Sequence, residues 1–179
     1  MKNRTVKLVL PIVIPVVVMA AVFIAIFGIP KKNSEMKPVP IRWGEDTCAR
    51  CDMSIVDAYH AVEIINPTTK KVYKFDDIGC AVLWLYKEHK FKWAKKAVIW
   101  VTSAKNGAWI PAKSACWVSG QITPMGFGFG AYKEKPKQYK KCIPWKQLVK
   151  DIFAKEEKFE KALYGSYPQG GTSSSGKEK

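Results

Sequence analysis

Histidine is scarce in this chain of 179 residues, which contains only two, and acidic residues are half as common as basic ones. The shortage of imidazole excludes a metal site built mainly from histidine ligands. Fifteen acidic against 30 basic residues give a formal net charge of +15 at pH 7. No RNA- or DNA-binding signature accompanies this charge, so we expect no nucleic-acid partner.

Charged residues are absent from Leu8 to Pro30, a stretch composed almost entirely of apolar residues. A run of this length spans a bilayer as a helix. Its end offers no Ala-x-Ala cleavage site, and no cysteine near Gly28 is available to carry a lipid. Residues 1–30 are therefore predicted to be an uncleaved signal anchor, which is a single transmembrane helix.

Basic residues flank the apolar run on both sides, so the positive-inside rule does not decide its orientation. The very short basic tail before the run resembles an export signal, which places the rest of the chain on the periplasmic side of the membrane. In an oxidising compartment the odd number of cysteines, five, leaves at least one thiol free or paired between molecules. This favours a thiol kept for metal binding over a disulfide framework.

The basic excess is densest near the end of the predicted domain. We interpret it as a solvated face, with attraction to anionic lipid headgroups as the alternative. The residues are Lys133, Lys135, Lys137, Lys140, Lys141 and Lys146, opposed only by Glu134.

The pattern of apolar residues and turns predicts an α+β domain over residues 45–164, after a linker at 31–44 and before a disordered tail at 165–179. The predicted strands are 59–65, 71–75, 97–101 and 108–110, followed by short strands or turns within 114–132. One helix is predicted from Asp76 or Asp77 to about Lys90, and a second from Trp145 to about Leu163.

The candidate chemistry is carried by sulfur. Cys48 and Cys51 are separated by two residues, and Met53 follows closely. A structural zinc site would need a second ligand pair downstream, and a thioredoxin-like site would need the pair at a helix start, so disulfide, metal and redox functions all remain open for the pair alone. Thiolates and thioethers together suit Cu(I), because soft donors match a soft ion.

A further thioether, Met125, lies in a loop rich in glycine. Core packing is the usual role of a lone methionine. The setting between Pro124 and Gly126, with Gly128 and Gly130 beyond, supports ordinary core packing poorly and favours ligation.

Four motifs in order resemble the NosL family, the accessory proteins of nitrous oxide reductase. They are Cys48-x-x-Cys51-x-Met53-x-Ile55, then Phe75-Asp76-Asp77-Ile78-Gly79-Cys80, then Trp100-Val101 with Trp109-Ile110-x-Ala112, then Thr123-Pro124-Met125-Gly126-x-Gly128-x-Gly130-Ala131. The resemblance covers roughly residues 45 to 135.

This resemblance implies an extracytoplasmic, membrane-tethered Cu(I) chaperone that delivers copper to nitrous oxide reductase, a binding protein with no small-molecule substrate. It also implies a fold of two ββαβ-like units, similar to organomercurial lyase. The family's ligands fall on Cys51, Met53 and Met125, and we add Cys48 as a secondary or partner-exchange thiol. Asp52 departs from the family, which usually has glycine there, and a helical anchor departs from its usual lipid anchor.

Two enzymatic alternatives remain, a thiol oxidoreductase using Cys48 and Cys51, or an organomercurial-lyase-like enzyme that pairs thiols with Asp52 or Asp76. For the Asp76–Asp77 pair we favour helix capping over acid–base catalysis. For His60 we favour packing or surface exposure over ligation. Three cysteines are interpreted as structural thiols, with a Cys116–Cys142 disulfide as the less favoured alternative, namely Cys80, Cys116 and Cys142.

Overall fold

The computed structural model describes Met19 and residues 36–164. The predicted signal anchor (apart from Met19), the start of the predicted linker at 31–35 and the predicted tail at 165–179 lie outside the described residues. Within the described part of the chain, no helix has the length and apolar character needed to cross a membrane.

A four-stranded antiparallel sheet with the order β2-β1-β3-β4 forms the first half of the fold. Strand β1 lies between β2 and β3, and every one of its residues is buried, so both faces of this strand are covered. The Asn66 side chain accepts hydrogen bonds from the backbone N–H groups of Thr68 and Thr69, which builds the predicted turn between β1 and β2. The strands are β1 Val62–Ile65, β2 Val72–Phe75, β3 Val98–Thr102 and β4 Trp109–Pro111.

Helix α1, Ile78–Val82, follows β2 and continues directly as a π-helical segment, Leu83–Glu88. Asp77 is its N-cap, and the carboxylate accepts a hydrogen bond of 2.8 Å from the backbone N–H of Gly79. The predicted capping function is thus confirmed for Asp77. All five residues of α1 are buried.

The second half contains a two-stranded antiparallel sheet and a long helix. Strand β5, Cys116–Ser119, pairs with β6, Phe129–Tyr132, and helix α2 spans Trp145–Tyr164. The helix has an amphipathic sequence, and it buries Leu148 and Ile152 completely. Two short 3₁₀ turns, Ala94–Lys96 and Ala112–Ser114, connect the remaining elements.

Cys116 and Cys142 form a disulfide, so their interpretation as free structural thiols was wrong and the alternative pairing is the correct one. The physical reason is an isolated antiparallel bridge between Trp117 and Ile143, which brings the neighbouring cysteines together.

The α+β class is confirmed. Of the two expected ββαβ units, one is present in the described residues. The order β1-β2-α1-β3 matches the motif. In the described residues the β5–β6 hairpin is followed by α2 as the last element, so no later strand completes a second unit.

Candidate metal centre

The segment from Cys48 to Met53 forms a tight loop. The backbone N–H of Cys48 donates to the Met53 carbonyl over 2.8 Å, and the N–H of Asp52 donates to the Cys48 carbonyl over 3.0 Å. The loop requires a left-handed backbone at Asp52, whose φ is 59°. Glycine adopts this conformation freely and aspartate tolerates it better than most residues, which explains why Asp52 can stand there.

A backbone hydrogen bond fixes this loop beside the end of β2. The N–H of Ala49 donates to the carbonyl of Lys74 over 2.8 Å. Beyond the end of β2 the chain continues through Asp76 into helix α1, which carries Cys80. The loop cysteines therefore meet the first residues that follow the strand.

Four potential ligand atoms converge at this junction. The sulfurs of Cys48, Cys51 and Cys80 and a carboxylate oxygen of Asp76 all lie within 4.8 Å of one another. Two sulfurs on opposite sides of one ion, at a metal–sulfur distance of about 2.3 Å, would be separated by roughly 4.6 Å. The cluster is thus close to the size that a single metal ion requires.

The three thiols differ in their tendency to ionise. A hydrogen bond from Cys80 lowers the pKa of Cys48 to about 7, against the effect of burial and with help from nearby backbone N–H groups. Burial is the main reason that the pKa of Cys51 rises to about 11. The hydrogen bond with Cys48, together with burial, raises the pKa of Cys80. As the pH rises, Cys48 is therefore the first thiol of the cluster to ionise.

Asp76 has one carboxylate oxygen engaged and one without a partner. Its Oδ2 accepts a hydrogen bond of 3.6 Å from the Cys51 thiol, whereas the buried Oδ1 has no hydrogen-bond partner. A buried polar atom without a partner is costly, and a bound cation or proton would satisfy it.

Arg50 holds the cluster against two other elements. Its guanidinium donates to Glu88 at the end of the π-helical segment over 2.6 Å and to Glu156 of α2 over 2.7 Å. These carboxylates raise the pKa of Arg50 despite its partial burial, and a hydrogen bond with Cys80 contributes as well. Arg50 thus adds a permanent positive charge beside sulfurs that become anionic on ligation.

The two predicted methionine ligands lie on segments that contact this junction. Met53 ends the cysteine loop and its side chain is 52% exposed. Met125 is half-buried, and its backbone N–H donates to Asp77, the neighbour of Asp76, over 3.3 Å. Ligation by either thioether, and by Cys48 and Cys51, stays a prediction.

Cys80 and Asp76 are the members of the cluster that the sequence analysis does not predict as metal ligands, although Asp76 enters its lyase-like alternative. From the sequence, Cys80 is interpreted as a structural thiol and the Asp76–Asp77 pair as capping residues. Asp77 is the N-cap of α1, whereas Asp76 lies in the cluster. The sequence signal that could have indicated these two ligands is their position directly after the predicted strand 71–75. In the structure the cysteine loop packs at the same end of this strand. His60 lies elsewhere, with Nδ1 2.8 Å from Asp57 Oδ2.

The arrangement is unfavourable for thiol–disulfide exchange. The thiol with the lowered pKa, Cys48, is completely buried, whereas the accessible thiol, Cys51, has a raised pKa. An exchange nucleophile must be both ionised and accessible. The site therefore supports ligation of a metal better than redox chemistry.

No family model and no curated protein matches this chain. Among solved structures, the chain is similar to the crystal structure of the copper chaperone NosL from Shewanella denitrificans, with a TM-score of 0.47 and 19% sequence identity. The alignment covers 68% of this chain and 87% of that chain. Membership of the NosL family accordingly stays a prediction from the motifs.

Proposed function

We propose that this protein binds Cu(I) through Cys48, Cys51 and Cys80 and passes it to a copper enzyme. The observation that carries the proposal is the convergence of three thiols and one carboxylate within 4.8 Å. Three sulfurs form a soft ligand set, and their burial excludes water from the ion. Asp76, with its unpartnered oxygen, serves as a hydrogen-bond acceptor for the thiol groups or as an additional ligand.

Zinc is the main competing ion, because three cysteines and one further ligand also make a tetrahedral zinc site. The neighbouring thioethers favour copper, since methionine is a ligand for Cu(I) and not for structural zinc. We assign Met53 and Met125 as the neutral ligands that assist binding or transfer.

Transfer of the ion to a partner requires that part of the site be reachable. Cys51 is half-buried and Met53 is exposed, whereas Cys48 and Cys80 are fully buried. A partner's ligand can therefore approach at Cys51 and replace the protein's sulfurs one at a time. The resemblance of the motifs makes nitrous oxide reductase the client that we propose.

We further propose that residues 1–30 anchor the chain in the cell membrane with the domain on the periplasmic side. The disulfide between Cys116 and Cys142 supports this location, because disulfides form and persist in oxidising compartments.

The experiment is an anaerobic Cu(I) titration of the full-length chain in detergent, with the Cys116–Cys142 disulfide intact and the three other cysteines reduced, against a chromophoric Cu(I) chelator. We expect one Cu(I) per chain and weaker binding of Zn(II). Cys80→Ser should weaken Cu(I) binding at least tenfold, and Met53→Ala and Met125→Ala should weaken it less because they remove neutral donors.

The matched control replaces two cysteines outside the cluster. Cys116→Ser with Cys142→Ser should still bind one Cu(I) with wild-type affinity when circular dichroism shows that it is folded. Tighter binding of zinc than of copper would refute the copper assignment, and an unchanged affinity in Cys80→Ser would refute the three-thiol site.

One observation favours a second candidate function, cleavage of a carbon–mercury bond. Cys48 or Cys51, Cys80 and Asp76 place soft ligands for mercury beside a carboxyl group with a buried, unpartnered oxygen. The sulfurs would bind mercury, and the proton that leaves the Cys51 thiol, which donates to Asp76 Oδ2, would pass through that carboxylate to the departing carbon, which leaves as a hydrocarbon while mercury stays on sulfur. Release of benzene from phenylmercuric acetate, abolished in Asp76→Asn, would establish this activity, and no benzene release would exclude it.

A further inference from the structure

Arg50 belongs to the cysteine loop, two residues after Cys48 and directly before Cys51. Its side chain is only 19% exposed, although the loop lies at the surface. The Nε–H donates to Glu88, and one terminal N–H donates to Glu156. A guanidinium has five N–H donors in a rigid fork, so these two bonds fix the group and leave three donors for other acceptors.

The sulfur of Cys80 is one of these further acceptors. Although burial opposes it, the pKa of Arg50 is raised by the two carboxylates and by a hydrogen bond with Cys80. Cys80 is one of the three sulfurs that lie with Asp76 within 4.8 Å of one another. The guanidinium is therefore a fixed positive charge in contact with the cluster, and arginine does not lose this charge in proteins.

Ions of different charge interact differently with this guanidinium. Three thiolates contribute three negative charges, so a bound monovalent ion leaves two of them uncompensated and a bound divalent ion leaves one. The attraction between Arg50 and the loaded cluster is therefore about twice as strong for the monovalent ion. Asp76 does not alter this difference, because it adds the same charge in both cases.

We propose that Arg50 is a specificity-determining residue of the candidate metal centre, which selects monovalent over divalent soft-metal ions through its positive charge. The inference rests on the proposed function, since it concerns the same three sulfurs. Three cysteines with one further ligand also suit zinc, so this part of the ligand set separates copper from zinc poorly. Arg50 adds a second criterion, the charge of the ion, without being a ligand itself.

Glu88 and Glu156 act on this selection in the opposite direction. Both carboxylates bond the guanidinium, which holds it in place and offsets part of its charge. The Glu156 side chain is 12% exposed, so solvent screens its charge little. Removing the charge of Glu156 should therefore favour the monovalent ion, whereas removing that of Arg50 should favour the divalent one.

The test measures the affinities of the full-length chain in detergent for Cu(I) and for Zn(II), each in anaerobic competition with a chromophoric chelator. Arg50→Gln should weaken Cu(I) binding about a hundredfold and Zn(II) binding about tenfold, so the ratio of the two affinities falls about tenfold. Arg50→Lys keeps the charge, so the ratio should stay within about threefold of wild type even where loss of the fork weakens both ions. Arg42→Gln is the matched control, because the Arg42 side chain is 71% exposed and pairs with Asp46 outside the cluster; it should leave both affinities within about threefold.

The ratio separates charge from positioning, because a displaced loop would weaken both ions together. An unchanged ratio in Arg50→Gln, or an equal fall in Arg50→Lys, would overturn the inference and leave the proposed function standing. Tighter zinc than copper binding by the wild type would refute the copper assignment, whereas the change of the ratio still tests Arg50. A wild type that binds neither ion would refute both.

A second variant covers the case in which circular dichroism shows that Arg50→Gln is unfolded. Glu156→Gln keeps an amide oxygen that accepts from Arg50 and removes the negative charge. It should raise the ratio of Cu(I) to Zn(II) affinity at least about threefold. An unchanged or lower ratio in this variant would overturn the inference.

Discussion

Replacing Glu63 by Gln should make the protein more stable at neutral and alkaline pH. Glu63 lies in the central strand β1 and is completely buried. Its Oε2 accepts a hydrogen bond of 2.9 Å from the N–H of Val39, but its Oε1 has no partner. Burial raises the pKa of Glu63 to about 7, against the opposing effects of the Val39 N–H and Lys74.

The magnitude follows from linkage between ionisation and folding. A carboxyl pKa that rises from 4.5 when unfolded to about 7 when folded corresponds to roughly 3 kcal/mol. The pKa of Glu63 is higher in the folded than in the unfolded protein. The wild-type free energy of unfolding is therefore not reduced by ionisation of Glu63 below pH 4.5, decreases as the pH rises towards 7, and decreases no further above it. Glutamine remains neutral, so the advantage of Glu63→Gln should grow over this window and reach about 3 kcal/mol at pH 8.

The assay is urea denaturation of both proteins at pH values from 4.5 to 8.5, followed by tryptophan fluorescence. The difference between variant and wild type isolates Glu63 from the other titrating groups. Glu45→Gln is the control, because the Glu45 side chain is 69% exposed, and its difference from wild type should be small. A Glu63→Gln difference that changes by less than about 0.5 kcal/mol across this range would refute a raised pKa for Glu63 in the folded protein.

Two further predictions concern the disulfide and the packing of α1 against Phe127. Cys116→Ser with Cys142→Ser should lower the free energy of unfolding by about 3 kcal/mol, because the disulfide closes a loop with a sequence separation of 26; an unchanged denaturation midpoint would contradict this. Gly79→Ala should destabilise the protein by about 1–3 kcal/mol, because an added Cβ would overlap the Phe127 ring, whereas a loss below about 0.5 kcal/mol would show that the loop yields freely.

Local signals predicted the elements of the fold well. The predicted strands 59–65 and 71–75, the helix start at Asp76 or Asp77 and the helix from Trp145 each follow from neighbouring residues, and the structure has the corresponding elements. The return of the chain after β6 was harder to predict. It depends on the bridge between Trp117 and Ile143, a pairing between distant residues that no local pattern reveals.

The candidate metal centre was predicted only in part, because it also depends on contacts between residues that are distant in sequence. Cys48 and Cys51 stand out because only two residues separate them and Met53 follows closely. Cys80 belongs to a buried helix whose apolar pattern suggests only packing, and its approach to Cys48 depends on the hydrogen bond between Ala49 and Lys74. A motif that spans two segments becomes a site only when the sheet brings them together.

The distribution of the five cysteines would protect the three cluster thiols in the periplasmic location that we propose. Two are consumed in a disulfide, which leaves three. Cys48 and Cys80 are each 0% exposed, so an oxidant or a foreign thiol cannot reach the thiol that ionises most easily. Cys51 is accessible, but its raised pKa keeps it protonated and slow to react at neutral pH. Burial of the reactive thiol and protonation of the accessible one therefore protect the same cluster in two different ways, and a soft metal ion that reaches Cys51 overcomes the second because it displaces the proton from sulfur.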